Sequence, residues 1–126
     1  MEQTQSKKIL MIEDEEVFID IFGKKLEQAG FEITFAKNGA WGVKEALANR
    51  YDLFLIDMVM PAMSGEEIVE KLKMEEETRN VPIVVLSASV DEETQKKVVE
   101  MGVAAFFVKT HITPEELLEK ISQILA

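Results

Sequence analysis

Five side chains that could bind an ion or balance its charge each follow a short apolar segment of the sequence. They are Glu13, Asp14, Asp57, Ser87 and Lys109. If the fold brings them together, the three carboxylates repel one another unless a cation lies between them. Oxygen ligands without a thiol or an imidazole favour a hard ion, and Mg²⁺ commonly takes one or two carboxylates together with water. Lys109 would then neutralise the remaining negative charge.

Each of these residues also has an ordinary structural explanation when it is considered alone. Glu13 and Asp14 would form an acidic turn before a helix, where the helix dipole favours carboxylates. Ser87 would be a hydrogen-bonded loop hydroxyl, and Lys109 a solvated cation. Asp57 fits a simple turn less well, because an unpaired carboxylate after the most apolar segment is costly. Taken separately, these explanations do not account for the combination, in which four of the five apolar segments are each followed by such a polar group.

The composition restricts the chemistry available to this chain. It has 126 residues with no cysteine and one histidine, so disulfides, thiolate chemistry and a histidine metal site are excluded. Lys and Arg total 14 against 24 Asp and Glu, which gives a formal net charge of −10. Such an acidic field disfavours direct binding to nucleic acid. The hydrophobic fraction of 47% indicates a chain that folds around a core.

The length predicts one domain across residues 1–126, in which residues 1–7 form a polar N-terminal extension. No apolar run approaches the roughly 20 residues that a membrane helix needs. Residues 1–8 are polar and lack the apolar part of a secretory signal. We therefore expect a cytoplasmic protein without membrane insertion.

Five short apolar segments alternate with helical stretches along the chain. Four of them are almost continuously apolar, which predicts parallel strands covered by helices on both faces of a sheet. The second segment is the exception, because Glu32 and Thr34 alternate with apolar residues as in a half-exposed strand. We place that strand at an edge of the sheet. The five predicted strands are residues 9–12, 31–35, 53–56, 83–86 and 104–108.

Helical periodicity and caps predict five helices. The first has a buried stripe of Ile19, Phe22, Leu26 and Ala29 and ends at Gly30. The second covers residues 40–48. Capping residues open the other three, in which a Ser or Thr precedes a Glu by three positions. These pairs are Ser64 with Glu67, Ser89 with Glu92 before a helix closed by Gly102, and Thr113 with Glu116 around Pro114. Apolar residues at helical spacing also mark three of these helices. They are Val43 and Leu47, one turn apart in the second helix, Ile68 and Leu72 in the third, and the inward-facing Leu117, Ile121 and Ile124 of the fifth.

The predicted topology places the five candidate side chains at one rim. Parallel strands joined by right-handed crossovers have their carboxyl ends at the same edge of the sheet, and ligands in such folds bind there. Glu13 and Asp14 follow the first strand, Asp57 the third, Ser87 the fourth and Lys109 the fifth. The sequence thus predicts one polar site at this rim.

Four motifs occur in order and at compatible spacings. They are Ile-Glu-Asp-Glu-Glu at 12–16, Asp-Met-Val-Met-Pro-Ala-Met-Ser-Gly at 57–65, Leu-Ser-Ala at 86–88 and Phe-Val-Lys at 107–109. With these motifs the chain resembles the receiver domains of response regulators, from about Lys8 to its end. The resemblance implies an α/β fold with a doubly wound five-stranded parallel sheet in the flavodoxin-like order 2-1-3-4-5.

The resemblance further implies a single receiver domain that is phosphorylated on Asp57 by a histidine kinase or a histidine phosphotransfer protein. Mg²⁺ would be held by Glu13, Asp14 and Asp57 and by the backbone carbonyl of Val59. Lys109 would lie opposite the incoming phosphate. The chain would then be a signalling phosphoacceptor and not an enzyme, although it could catalyse its own phosphorylation and dephosphorylation.

The resemblance also assigns the switch and the partner surfaces. Ser87 would bind a phosphoryl oxygen while the Phe106 ring turns inward behind it, although an aromatic residue in the fifth strand is also a normal core residue. A downstream output protein or domain would read the fourth helix, fifth strand and fifth helix. The kinase would dock over the first helix, where Val17 and Ile21 lie outside the buried stripe.

Two positions depart from the common pattern of these domains. The lysine is usually followed by proline in a cis peptide, but Thr110 follows Lys109 here. Because a non-proline cis bond costs roughly 2.5–4 kcal/mol, this peptide is either trans or held under strain. The common acidic pair is two aspartates, whereas this chain has Glu13 and Asp14. The longer Glu13 would then reach the metal through a water molecule.

Several other functions fit the sequence less well. A phosphatase of the haloacid-dehalogenase type needs a second acid two residues after its nucleophile, where this chain has Val59. The acidic residues 14–16 would repel a flavin phosphate, and the glycine pattern of a dinucleotide site is lacking. The main alternative is a phosphorylation-independent interaction module on the same fold, although such a module has no need of the complete acidic set. Two organisations stay open, a complete single-domain regulator or one domain of a longer protein.

Overall fold

The fold was analysed in a computed structural model, which describes residues 6–88 and 91–126. None of the described helices is long and apolar enough to cross a membrane. The strands are β1 Lys8–Ile12, β2 Glu32–Ala36, β3 Leu53–Asp57, β4 Ile83–Ser87 and β5 Ala105–Val108. Helix α1 consists of Glu16–Phe18, a π-helical turn Ile19–Gly23 and Lys24–Gln28, and the other helices are α2 Gly39–Ala48, α3 Gly65–Met74, α4 Glu92–Glu100 and α5 Pro114–Leu125. A 3₁₀ turn, Lys109–His111, follows β5.

The five strands form one parallel sheet in the order β2-β1-β3-β4-β5. Alternate residues of β1 enter two separate cores: Leu10 packs with residues of α2, α3 and α4, whereas Ile9 packs with residues of α1 and α5. Both faces are therefore covered, which explains why the central strands are apolar throughout. The doubly wound fold and the strand order expected from the resemblance are confirmed.

The prediction that the second strand lies at an edge is confirmed. β2 pairs only with β1 among the described strands, and its first four residues keep part of their surface accessible. The strand begins at Glu32 and ends at the fully buried Ala36, one residue later than predicted. Phe31 instead packs just before the strand, against the core on the α1 side.

The buried stripe of α1 is correct at three of its four predicted positions. Ile19, Phe22 and Leu26 are buried, but Ala29 is exposed. The prediction for Ala29 is wrong because α1 ends at Gln28, so that Ala29 caps the helix beyond its last turn. The π-helical turn carries one residue more than an α-turn, which brings Gly23 onto the buried face.

Helix α2 packs on the sheet through small residues. Gly39, Gly42 and Ala46 are buried, whereas Leu47 is 41% exposed. A Cβ atom at Gly42 would lie 2.5 Å from Cδ1 of the buried Ile12. Of the predicted apolar pair, Val43 is half-buried and packs against the core, whereas Leu47 is exposed. The closest approach of helix and strand is made by the small residues.

Capping interactions delimit the remaining helices. Ser64 with Glu67 and Thr113 with Glu116 form the two predicted capping boxes, and Pro114 opens α5. In α5, Leu117 and Ile121 are fully buried, while Ile124 is half-buried at the edge of the core. The predicted cap at Ser89 lies outside the described residues. Within them, the Asp91 side chain accepts a hydrogen bond from the Glu93 amide as the N-cap of α4, and Gly102 follows that helix with a positive φ of 93°.

Candidate functional site

The register of the sheet brings the predicted side chains to one rim. Ile12 pairs with Ile56, so the residues that follow them, Glu13 and Asp57, leave neighbouring strands side by side. Asp57 in turn pairs with Leu86, the residue before Ser87. Ser87 pairs with Val108, the residue before Lys109. Asp57 therefore lies between Glu13 on one side and the Ser87 and Lys109 strand ends on the other.

A tight loop after β3 holds the Asp57 carboxylate in position. Its Oδ1 accepts a hydrogen bond of 3.3 Å from the Val59 amide. The Gly65 amide closes the loop by donating to the Met58 carbonyl at 2.9 Å. A Cβ atom at Gly65 would lie 2.7 Å from the Asp57 carbonyl oxygen, so the loop closes this tightly only because residue 65 is a glycine.

Lys109 is the cation at the centre of the site. Its side chain is 1% exposed, and its Nζ lies 2.9 Å from Glu13 Oε1 and 3.2 Å from Asp57 Oδ1. Glu15 also contacts the ammonium, at 3.4 Å, from a side chain that is 53% exposed. One buried ammonium thus compensates several carboxylates. The carboxylates around Lys109 therefore carry more negative charge than this one ammonium balances.

Burial makes the carboxyl groups of Glu13 and Asp57 easier to protonate than ordinary ones. Burial, with a contribution from Asp57, raises the pKa of Glu13 to about 7 despite the neighbouring Lys109. Burial also raises the pKa of Asp57, against the opposing effect of Lys109. Burial alone would lower the pKa of Lys109, but its ion pairs with Glu13 and Asp57 raise it above the ordinary value. Lys109 therefore stays charged where Glu13 titrates.

The unsatisfied oxygens of the site fit a bound cation. Among the described residues, Asp14 Oδ1 and Asp57 Oδ2 are buried without a hydrogen-bond partner, and Glu13 Oε1 accepts none beyond its ion pair with Lys109. Oxygen atoms of Glu13, Asp14, Glu15 and Asp57 all lie within 4.8 Å of one another. Because buried carboxylate oxygens are costly to leave unpaired, this all-oxygen set suits a hard divalent ion such as Mg²⁺.

The peptide bond between Lys109 and Thr110 is trans. The sequence left open a trans peptide or a strained cis peptide here, and the trans form carries no energetic penalty for threonine. The chain continues directly into the 3₁₀ turn Lys109–His111. The Lys109 side chain nevertheless reaches Asp57, so the usual proline is not needed to direct it into the site.

Other predicted residues lie around the acidic centre. Ser87 is 4% exposed at the end of β4, and together with Phe106 and Val59 it lines a cavity of about 300 Å³. Phe106 is half-buried and packs against the core on the α2–α4 side. The structure therefore brings Ser87 and Phe106 to one cavity beside Asp57.

Two predicted surface residues are separate from that cavity. Val17 is 55% exposed and Ile21 is 43% exposed, both on α1. They are outside the buried stripe, as the helical spacing predicted. Neither lines the cavity beside Asp57.

Sequence reasoning missed two neighbours of Lys109. Glu15 joins the acidic cluster and pairs with Lys109. It stands in the acidic motif at 12–16, so its position next to Asp14 was an available signal. Phe18 places its ring 4.1 Å from the Lys109 ammonium. No spacing rule indicated that contact, because it depends on how α1 packs beside the 3₁₀ turn after β5.

Comparison with known proteins places these features in a wider group. Residues 9–122 match the family described as response regulator receiver domain. The phosphate regulon transcriptional regulatory protein PhoB of Pseudomonas aeruginosa is 30% identical over 119 residues, which are 94% of this chain and 52% of PhoB. The chain spans about half the length of such transcriptional regulators.

Two solved structures have the same fold. Chemotaxis protein CheY4 of Vibrio cholerae has a TM-score of 0.88 and 26% identity. The match covers 96% of this chain and 100% of CheY4. The receiver domain of sensor histidine kinase PA1611 from Pseudomonas aeruginosa has a TM-score of 0.87 and 24% identity, covering 96% of this chain and 98% of that one. The PA1611 structure is described with a magnesium ion coordinated in its active site cleft.

Proposed function

The chain belongs to the response regulator receiver domain family, the phosphoacceptor module of two-component signalling, and we propose that Asp57 is its phosphorylated residue. One observation carries this assignment. The Asp57 carboxylate is buried at the rim, with Oδ1 facing Lys109 at 3.2 Å and Oδ2 without a hydrogen-bond partner among the described residues. It is therefore held in place and still has an oxygen available for reaction.

In the proposed reaction, a carboxylate oxygen of Asp57 attacks the phosphorus of a phosphohistidine. The bond between phosphorus and the donor nitrogen breaks, its electron pair stays on the imidazole, and an acyl phosphate forms on Asp57. Lys109 is already charged and within 3.2 Å of Asp57 Oδ1, so it stabilises the transferred phosphoryl charge without reorganisation. The Ser87 hydroxyl at the neighbouring strand end supplies a hydrogen bond to a phosphoryl oxygen.

We place Mg²⁺ at the acidic side of Asp57. Glu13, Asp14 and Asp57 would hold the ion together with the Val59 backbone carbonyl, Glu13 directly or through water. When bound, the ion neutralises negative charge on the carboxylates and on the phosphoryl group. The unpaired Asp14 and Asp57 oxygens support this assignment, and the PA1611 receiver domain, which has the same fold, is described with Mg²⁺ in its cleft.

Magnesium affinity should increase as the pH rises through about 7. Protonated Glu13 is a poor ligand, and burial raises its pKa to about 7. Competition with one such proton makes the affinity about tenfold lower at pH 6 than at pH 8. Isothermal titration with MgCl₂ at both pH values measures this difference.

Two variants identify the titrating group in that experiment. Glu13→Gln should lose most of the pH dependence, because the amide does not titrate in this range. Glu16→Gln, which changes an exposed acid at the start of α1, should behave as the wild type. An identical pH dependence in Glu13→Gln and wild type would show that another group competes with the metal.

We propose that phosphorylation acts on a switch formed by Ser87 and Phe106. Both residues line the cavity of about 300 Å³ beside Asp57, which gives the Phe106 ring space to turn inward. Reorienting this ring would change the surface of β5 and its neighbours α4 and α5, where an output protein or domain would bind. The phosphodonor, a histidine kinase or histidine phosphotransfer protein, would dock on α1 over Val17 and Ile21.

The chain is then a signalling phosphoacceptor that is modified once per cycle, and not an enzyme with an external substrate. It would be a single receiver domain across residues 1–126. The PhoB protein to which it is similar is about twice as long, so the output could reside in a separate protein or in a further domain.

Beryllofluoride, a stable mimic of the phosphoryl group, tests this function. With Mg²⁺ present, it should shift the backbone amide signals of residues at Asp57, Ser87 and β5 in the wild type, and it should leave Asp57→Asn unchanged. Backbone amides are the suitable reporters because they follow each of these residues separately, whereas the one tryptophan, Trp41, reports only on α2. A wild-type spectrum that beryllofluoride does not perturb would contradict phosphoacceptor function and would favour a phosphorylation-independent interaction module.

A further inference from the structure

Phe18 supplies an aromatic wall for the buried Lys109 ammonium. The Nζ atom lies 4.1 Å from the centroid of the ring, which is within the range of a cation–π interaction. The Lys109 side chain is only 1% exposed, and such contacts are strongest where the cation has lost its water. The ring therefore faces the cation where the interaction is most effective.

The packing of α1 holds the Phe18 ring in place. Phe18 stacks on Phe22, with ring centroids 6.0 Å apart and planes inclined by 10°. Phe22 is 2% exposed and belongs to the core on the α1 side. Phe18 itself directly precedes the π-helical turn, and at the end of that turn Gly23 approaches the Phe35 ring so closely that a Cβ would lie 2.7 Å from it. Such turns are often found at functional sites.

The carboxylates beside the ammonium either change in charge or partners during the reaction or lie at the surface. Asp57 becomes an acyl phosphate, Glu13 is a proposed metal ligand, and the exposed Glu15 reaches Lys109 at the longer distance of 3.4 Å. A lysine has a flexible four-carbon side chain and would follow such changes. The Phe18 ring keeps the same charge distribution throughout.

We propose that Phe18 is a positioning residue that fixes the Lys109 ammonium beside Asp57 through its aromatic face. This inference rests on the proposed function of Asp57. With a leucine at position 18 the apolar volume remains, but the face that attracts the cation is lost. Lys109 would then be less well placed for the incoming phosphoryl group, while the residues proposed to hold the metal are all retained.

The rate of phosphorylation by acetyl phosphate and Mg²⁺, followed by intact mass, measures this effect. Phe18→Leu should be phosphorylated about tenfold more slowly than the wild type, and Phe18→Tyr, which retains the aromatic face, within about twofold of it. The Mg²⁺ affinity of Phe18→Leu should change less than the rate does, because all of the proposed metal ligands are retained. Phe31→Leu is the matched control, because it makes the same change in a half-buried ring of the same core, before the start of β2 and so at the opposite edge of the sheet from Lys109. It should be phosphorylated at the wild-type rate.

A double-mutant comparison separates positioning from general loss of structure. In a Lys109→Met background the ring has no cation to hold, so adding Phe18→Leu should not slow phosphorylation further. The proposal is overturned if Phe18→Leu reacts at the wild-type rate, or if it slows the Lys109→Met protein by the same factor as the wild type. A wild type that is not phosphorylated at all would instead refute the function assigned to Asp57.

Proton chemical shifts of the wild type test the contact without any substitution. The ε-methylene protons of Lys109 should resonate upfield of those of exposed lysines, because they lie next to an aromatic face. In Phe18→Leu this displacement should disappear. Ordinary lysine shifts for Lys109 in the wild type would overturn the proposal even if Phe18→Leu does not fold.

Discussion

Asp57→Asn is expected to abolish phosphoryl incorporation, leaving less than about 10⁻³ of the wild-type rate with acetyl phosphate and Mg²⁺. The amide has nearly the same shape as the carboxylate but is not a nucleophile toward phosphorus. Intact mass spectrometry after a fixed incubation measures the phosphorylated fraction. Asp20→Asn, the same chemical change at an exposed position on α1, should be phosphorylated as the wild type.

The stability of Asp57→Asn shows whether the loss is chemical or structural. Burial raises the pKa of Asp57, so the native state carries this carboxylate at a cost, and the neutral amide removes that cost. Without metal, Asp57→Asn should therefore unfold at the same or a higher urea concentration than the wild type. Phosphoryl incorporation into a folded Asp57→Asn protein at the wild-type rate would contradict the assignment of the acceptor.

Lys109→Met is expected to have the largest effect on stability. Removing one partner of a buried ion pair costs about 3–5 kcal/mol, because the other charges stay buried without compensation. Lys109 lies within 3.2 Å of both Glu13 and Asp57, which are each 1% exposed in their side chains. The substitution should also slow phosphorylation by about 10²-fold, since a preorganised charge next to the phosphoryl group is lost. Urea unfolding and intact mass measure the two effects.

The stability that Lys109→Met loses should increase with pH. Glu13 and Asp57 have raised pKa values in the wild type, and removing Lys109 raises both further. A carboxyl with a raised native pKa stabilises the fold while it is protonated, and this stabilisation is lost as the pH rises through that pKa. Lys109→Met should therefore lose less stability at about pH 5 than at about pH 8.

Added Mg²⁺ and a surface lysine provide the controls for that series. Mg²⁺ should restore part of the stability of Lys109→Met, because the ion replaces the missing positive charge between the carboxylates. Lys44→Met, on the exposed side of α2, should be close to the wild type at both pH values. Equal stability of Lys109→Met and wild type at pH 8 would mean that Lys109 does not compensate the buried carboxylates.

The rim of the sheet was predictable from sequence because topology alone determines it. Once the strands are parallel, Glu13, Asp57, Ser87 and Lys109 must leave them at one edge. The caps at Ser64 and Thr113 were also predictable, because a capping box involves only residues three positions apart. These features depend on local sequence and on strand direction, and the structure confirms each of them.

The features that the sequence did not reveal depend on contacts between elements. The π-helical turn in α1 accompanies the close approach of Gly23 to Phe35, and no helical periodicity shows such a contact. The same turn brings Gly23 onto the buried face of α1. The contact between Phe18 and Lys109 joins residues far apart in the chain. Packing distances, not residue types, determine these details.

Identifying the modified residue tests the central claim most directly. After reaction with acetyl phosphate and Mg²⁺, borohydride reduces an acyl phosphate to an alcohol, which marks the residue for peptide mapping by mass spectrometry. The account predicts one mark, on Asp57, and none when Mg²⁺ is removed with a chelator. A phosphorylated protein with the group on His111, on Asp14 or on any residue other than Asp57 would contradict it.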